Sequence, residues 1–462
     1  MSSPVLDTTA SGGSSEMIRL SWLQKISYGL GAGGGNVMNT LLATFLLAYY
    51  TDTAGIAAAS IGTMFVVCRF LDGITNFVMG SLIDNTHSRF GKARPWLFAS
   101  APLMLVGIVA IMNVPMGWSE TAKLIYAYVS YLFLNGIVAT MFGISHNALL
   151  ARLTRDVDSR NDASMVSSVL NNVIGLAAGI LITWLQLSMG WFFTSIVLGI
   201  LTAVLILIPS VTLQEKVGMS GPNSADETLQ KTPQPSLKEQ LPAVLKNRYF
   251  WLSLLLGTLI LFVNANAIGA QIFYCTVILH DPGFMTVLLM AGQIPGILVL
   301  FLMPYCARRF SKRAFMAAGA VLMIAGFALT GIAETNTLLI IVGTVLRSIG
   351  LGPMFAGLYA FSADSADYGE WKYGIRSEGL TASAQSIGSQ IGIGFGSAAT
   401  AWILAAVGYD PAAPVQSDAV VSAIQFDFGW MGFFFSIVLL VGVLLMTVEK
   451  YLPEIHASLG YR

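Results

Sequence analysis

A carboxylate, Asp72, stands in the middle of an otherwise apolar run, Cys68-Arg69-Phe70-Leu71-Asp72-Gly73-Ile74-Thr75-Asn76. One helical turn before it comes a guanidinium, Arg69, and one turn after it an amide, Asn76, so a helix brings the three within reach of one another. An ionised carboxylate at the centre of a bilayer costs roughly 2.5–3.5 kcal/mol even on lenient insertion scales. An acid kept there generally faces a cavity or pathway and binds or moves something charged. The chemistry open to this group is cation or proton binding, and the structural alternative is a local Arg69–Asp72 pair that staples the helix. One carboxylate with few hard oxygen neighbours suits a proton better than Na⁺. The run ends in a basic turn, Arg89-Phe90-Gly91-Lys92-Ala93-Arg94, of the kind that marks the cytoplasmic side of a membrane.

The elements that must hold this group are apolar. The chain has 462 residues, of which 55% are hydrophobic and 10% charged, and its mean hydropathy is +0.72. Soluble domains average about 25% charged residues, so most of this chain is not in water. A net charge of zero gives no footing for nucleic acid. Cys68, Cys275 and Cys306 have no metal-ligand spacing and read as packing residues. No nucleophile stands with a base and no metal cluster is evident, so an enzyme is not expected, nor any cofactor beyond a coupling ion.

Apolar runs long enough to cross a bilayer, about 20 residues each, fall at 22–50, 56–84, 94–113, 121–151, 163–187, 190–213, 249–279, 283–306, 313–332, 336–363, 377–407 and 427–449. They predict an all-α membrane protein with twelve transmembrane helices. Residues 1–20 read as a disordered cytoplasmic tail, 21–213 as a six-helix bundle and 214–248 as a cytoplasmic linker. A second bundle comes next at 249–452, and 453–462 form a cytoplasmic tail. Of the 24 Lys and Arg, Lys123 alone falls in an outer connection, which puts both termini in the cytoplasm. The basic turn at Arg89 has an echo at Arg309-Phe310-Ser311-Lys312-Arg313, offset by 220 residues (309 minus 89), and Asp156–Arg160 has a weaker one at Asp364–Arg376. Two six-helix pseudo-repeats around a central cavity, the major facilitator architecture, are therefore expected.

At this point the residues are recognisable. Lys25-Ile26-Ser27-Tyr28-Gly29 begins the first run and Tyr49-Tyr50-Thr51-Asp52 leaves it, with Asp72 and the Gly80…Arg89-Phe90-Gly91-Lys92…Arg94-Pro95-Trp96 turn beyond. Most specific is Ala363-Asp364…Asp367-Tyr368-Gly369-Glu370-Trp371-Lys372…Gly374…Arg376…Glu378-Gly379. From about Lys25 to Tyr409 the chain resembles the glycoside–pentoside–hexuronide:cation symporters, which include the melibiose and glucuronide carriers. The resemblance implies a monomeric carrier in a bacterial cytoplasmic membrane that moves a sugar or glycoside with H⁺ or Na⁺ by alternating access. It further implies cation ligands at Asp72, Asn76, Thr140 and Ser386, and sugar contacts at Asn36, Gly143, Asn147, Phe355, Gln385 and Gln390.

The departures are specific. Where the melibiose carrier has a second carboxylate one turn after the first, this chain has Asn76, and Gln390 replaces a lysine common on the eleventh span. Losing one acid and one base leaves the intramembrane charge unchanged, so we read the two as a paired replacement around a coupling site at Asp72 alone. Asn36 and Gly143 replace sugar-binding acids, which argues against galactoside recognition in the melibiose manner. The lost charges also keep an uncoupled facilitator, or a carrier of a non-sugar amphiphile, open.

Other buried polar groups have more than one reading. His146 is a hydrogen-bonded structural histidine or a proton relay or sugar contact. Arg347, near the middle of the tenth span, pairs with a carboxylate, snorkels outward, or receives an acidic sugar bidentately. Asp84 with Arg89 and Arg94, and Asp367 and Glu370 with Arg376, are either gating salt bridges that hold an outward-open state or ordinary solvated loop charges.

Overall fold

The computed structural model describes residues 19–86, 88, 90–154, 156–215, 237–375 and 377–459, which are helical with no strand among them. Nine helices among these residues are long and apolar enough to cross a membrane. One of them, Val157–Thr212, is two passes, because Gly190 breaks it with φ 76. With the first helix and Phe284–Arg309 added, the described residues are consistent with twelve passes. In chain order α1 is Trp22–Thr40, prolonged by π-helical turns Leu41–Phe45 and Tyr49–Thr53, α2 is Ala58–Asp84 and α3 is Arg94–Ile111. Then come α4 (Glu120–Leu153), α5 (157–189), α6 (191–212), α7 (Arg248–Ile278) and α8 (Phe284–Arg309). The set closes with α9 (Lys312–Ile332), α10 (Thr337–Tyr373), α11 (Glu378–Ala406) and α12 (Asp418–Gln425, continued through Phe426–Trp430 to Leu445).

The helix starts are set by short polar side chains. Ser21 and Gln24 form a reciprocal capping box at α1, and Ser119, Asn247, Ser311, Asn336 and Ser417 each accept a first-turn N–H. Beyond its cap each helix is apolar on nearly every side, as helices inside a membrane must be.

The halves meet at the face away from the chain termini. There one apolar cluster takes in Leu41, Phe45 and Leu46 of α1 together with Phe273, Leu288 and Leu404 from the second half. Tyr409 Oη donates to Asp52 Oδ1 across the same seam at 3.2 Å. Toward the terminal face a Cβ added at Gly73 or Gly80 on α2, or at Gly379 on α11, would meet no atom within 4 Å.

The basic turn does something that charge counting does not reveal. Glu215, buried at the end of α6, accepts the backbone N–H groups of Lys92, Ala93 and Arg94 at 3.0, 2.8 and 2.9 Å. A carboxylate thus sits on the N-terminus of α3, where unpaired donors and the helix dipole favour an anion. Arg94 sends its guanidinium back to the carbonyls of Ser210 (3.0 Å) and Val211 (3.3 Å). Gly91 adopts φ 105 to make the turn, and a Cβ there would lie 2.3 Å from the Glu215 carboxyl carbon. The second half repeats the device. Glu449 accepts from Arg313 N–H at 3.1 Å, and the Arg313 guanidinium reaches Leu444 O.

The connecting and terminal segments carry structure of their own, with 216–236 outside the described residues. Residues 214–248 are not wholly a polar linker, since Glu215 is buried and Leu237–Lys246 is a helix whose Ala243 and Val244 are buried. At the start of the chain Leu20 is buried, with its N–H on Ser159 Oγ, while residues 1–18 lie outside the described residues. Beyond α12, Leu452–Leu459 is a helix with Ile455 fully buried rather than a free tail.

Gly91→Ala should lower the melting temperature of the detergent-solubilised protein by several degrees, and Glu215→Ala should cost about 1.5–3 kcal/mol. Glu449→Ala should cost a similar amount if the two halves use one design. Wild-type melting in all three would contradict it.

Candidate cation and substrate site

One face of α2 is buried at Met64, Cys68, Asp72, Met79 and Ile83, recurring at helical spacing. Asp72 is 3% exposed. Its Oδ2 accepts Asn135 Nδ2 at 2.8 Å and Arg69 Nη1 at 3.4 Å. Its other oxygen, Oδ1, is buried with no hydrogen-bond partner. Asn135 belongs to the π-helical stretch Leu132–Ala139 of α4, and its neighbour Gly136 leaves space beside Oδ1. Such π turns re-aim side chains and are frequent at functional sites.

Arg69 reaches both ways. Its Nη1 also donates to Gln390 Oε1 on α11 at 3.4 Å, and its stem packs on Gly394. A chain of polar contacts therefore runs from α4 through α2 into the other half. Beside it, between α2 and α11, lies a cavity of about 560 Å³ lined by Arg69, Asn76, Ser386 and Gln390 with Phe70 and Ile387. Asn76 and Ser386 face this space and Thr140 is buried on α4. The hydrogen bonds of the carboxylate go to Arg69 and Asn135 rather than to those three.

The expected sugar contacts have different surroundings. Gly143 has open space beside it and Asn147 is exposed. Asn36 instead donates to Asn171 O at 2.7 Å, tying α1 to α5 against Gly175. Gln385 is buried against Gly257 of α7 with Nε2 unpartnered, and Phe355 is half-buried on α10. His146 packs inside the first half, its Nε2 3.0 Å from Tyr28 O and its ring stacked on Tyr28 at 4.1 Å. Arg347 is 9% exposed and lies 4.7 Å over Phe428 of α12 and 5.4 Å over Phe327 of α9, with Nη1 unpartnered.

Of the charges expected to gate, Arg94 is held by α6 carbonyls as above, and Asp367 and Glu370 are half-buried near the end of α10. Arg89, Arg376 and the Asp84 side chain lie outside the described residues. Within the halves, Lys25 pairs with Asp162 at 2.6 Å and Lys312 with Asp364 at 2.8 Å.

Three polar residues escaped the sequence reading. Asn135 stands in an apolar run with no motif around it. Glu215 stood in what reads as linker. Asp427, buried and bonded to Asn266 Nδ2 at 2.7 Å, stood at the edge of an apolar run that the structure extends back to Asp418.

Twelve helical passes with an acid buried beside a cavity between the halves describe a multi-pass membrane transporter rather than an enzyme. The chain belongs to the MFS/sugar transport protein family, whose sequence profile matches residues 27–450. It is 29% identical to the isoprimeverose transporter of Lactiplantibacillus pentosus, over 95% of this chain and 91% of that one. To the glucuronide carrier protein homolog of Escherichia coli (strain K12) it is 31% identical, over 88% of each. Among solved structures, a bacterial homolog of the human lysosomal transporter Spinster, inward-facing and unoccupied, superposes with a TM-score of 0.63 at 16% identity, covering 93% of this chain and 96% of that one. The nucleoside transporter NupG does so with a TM-score of 0.61, at 16% identity, covering 92% and 99%.

The Asn135 N–H stabilises the ionised, empty carboxylate, so Asn135→Ala should raise apparent affinity for a coupling proton at least tenfold, in line with about 1.5–3 kcal/mol for a hydrogen bond to a charge. Substrate binding at saturating cation should change little. The check is substrate uptake titrated with cation; an unaltered half-saturation point would rule out this positioning role.

Proposed function

We propose that this protein carries a neutral sugar or glycoside across a bacterial cytoplasmic membrane together with a cation, by alternating access. The observation that carries the reading is the free Oδ1 of Asp72, a buried carboxylate oxygen with no hydrogen-bond partner, on an acid whose partner Arg69 lines a cavity between the halves. A group so placed binds a proton or metal cation as the cavity changes sides. Its neighbours, Asn135 Nδ2 and Arg69, present N–H donors and not oxygen ligands, which favours H⁺ over Na⁺. Asn76 and Ser386 could offer oxygens from the cavity, so Na⁺ is the alternative for the test to decide.

The substrates for which the relatives are named, isoprimeverose and a glucuronide, support a sugar or glycoside. Arg347 packs on aromatic rings of α9 and α12, which supports a neutral cargo over a uronide. The positive charges of the inner turns support cytoplasmic termini. On that orientation the apolar seam seals the outer side, and the conformation faces inward.

Proteoliposomes with imposed pH or Na⁺ gradients, offered neutral and acidic glycosides, test this directly. We expect a pH gradient to drive a neutral glycoside uphill and Arg347→Gln to leave selectivity unchanged. Uptake that only equilibrates under every gradient would indicate a facilitator. Selective loss of acidic substrates in Arg347→Gln would restore the uronide reading.

A further inference from the structure

Two adjoining hollows at the terminal face of the second half share Arg248 and lie apart from the cavity between α2 and α11. The first, of about 510 Å³, runs between the start of α7 and the end of α12 and is walled by Trp251, Leu252, Leu255, Leu444 and Leu445. Trp251 is 50% exposed and Leu445 62%. In a chain that spans a membrane, such a surface faces acyl chains. The second, of about 700 Å³, gathers Lys246, Arg248 and Lys372 around Tyr368, Trp371 and Tyr451.

Among the described residues no carboxylate pairs with these cations. Arg248 Nη2 donates to Tyr249 Oη at 2.8 Å and its guanidinium lies 4.7 Å over that ring. Lys372 Nζ donates to Tyr368 Oη at 2.9 Å. Arg248 and Lys372 repel each other, and no ion pair engages either, or Lys246, among the described residues. Three like charges held together without a counter-ion attract an anion. The apolar groove that continues from them specifies what kind of anion.

We propose that this is a site for one anionic phospholipid. Its phosphate lies among Lys246, Arg248 and Lys372, with the aromatic rings at headgroup depth, and one acyl chain lies along the groove between α7 and α12. Basic pockets between transmembrane helices recognise anionic headgroups in this way, and Trp and Tyr favour the interface. The site also gives work to the Tyr368-Gly369-Glu370-Trp371-Lys372 segment, which the cation and sugar reading leaves unused. The lipid would bridge the helix Leu237–Lys246, the start of α7 and the end of α10. Gly369 lets α10 close on Asn247 there, since a Cβ would lie 3.3 Å from its Nδ2.

The full chain released from nanodiscs of equimolar phosphatidylglycerol and phosphatidylcholine into native mass spectrometry tests the proposal. Phosphatidylglycerol adducts should exceed phosphatidylcholine adducts at least tenfold. Each of Lys246→Gln, Arg248→Gln and Lys372→Gln should cut that ratio about fivefold, from about 1 kcal/mol per cation. The exposed Lys450→Gln, outside the pocket, should leave it unchanged. Equal adducts in the wild type, or a ratio that survives all three single variants, would overturn the proposal. So would complete displacement of the lipid by millimolar inorganic phosphate, which would make this an anion site without a lipid.

Discussion

A carboxylate buried in hydrocarbon must be protonated, paired or given a cation, and the neighbourhood of Asp72 leaves that choice partly open. Oδ2 is taken by Asn135 and Arg69, whereas Oδ1 has no partner. A fully satisfied acid would be a staple, and an acid with no partner would be costly enough to unfold the helix around it. On the proposed function, half satisfaction keeps the group in place while leaving one oxygen for a cation. The rest of the structure serves that condition. The π stretch of α4 brings Asn135 to the carboxylate, Gly136 leaves room beside the free oxygen, and Arg69 links the site to Gln390 across the seam. Whatever occupies Asp72 therefore acts on a contact between the two halves.

Rocking halves need rigid bodies, and the terminal face supplies them by the same means twice. Glu215 caps α3 from the end of α6, and Glu449 meets the start of α9 from the end of α12. Arg94 and Arg313 return to carbonyls near the ends of those same helices. Each half is thereby closed on itself, third span to sixth and ninth to twelfth. The repeat that the sequence hints at in two basic turns is thus a repeat of helix-end chemistry, in which a carboxylate satisfies donors that a membrane offers no water to satisfy.

Much of this was legible before the structure. The apolar runs announced the passes, because a bilayer imposes a minimum length, and Asp72 stood out because acids are rare there. Gln390 could be linked to the same site by charge balance with Asn76, and the structure finds it bonded to Arg69. Less legible were groups whose meaning depends on another segment. Asn135 looks like any interhelical amide until α4 is seen to widen into a π stretch. Glu215 reads as a linker residue until the Gly91 turn closes on it. Asn36 donates to Asn171 O, a contact the sequence does not announce, since amides in a bundle find backbone acceptors wherever helices approach closely. Periodicity reports which face is apolar and not which polar atoms remain unpaired after packing.

The most direct measurement is the transient current produced when reconstituted protein on a supported membrane meets a transported sugar. Wild-type protein should give a current that scales with the coupling cation. Asp72→Asn should give none while still exchanging labelled sugar across the membrane at a measurable rate. A cation-dependent current of wild-type size in Asp72→Asn would show that the charge moves elsewhere, and that the free oxygen of Asp72 is not the coupling site.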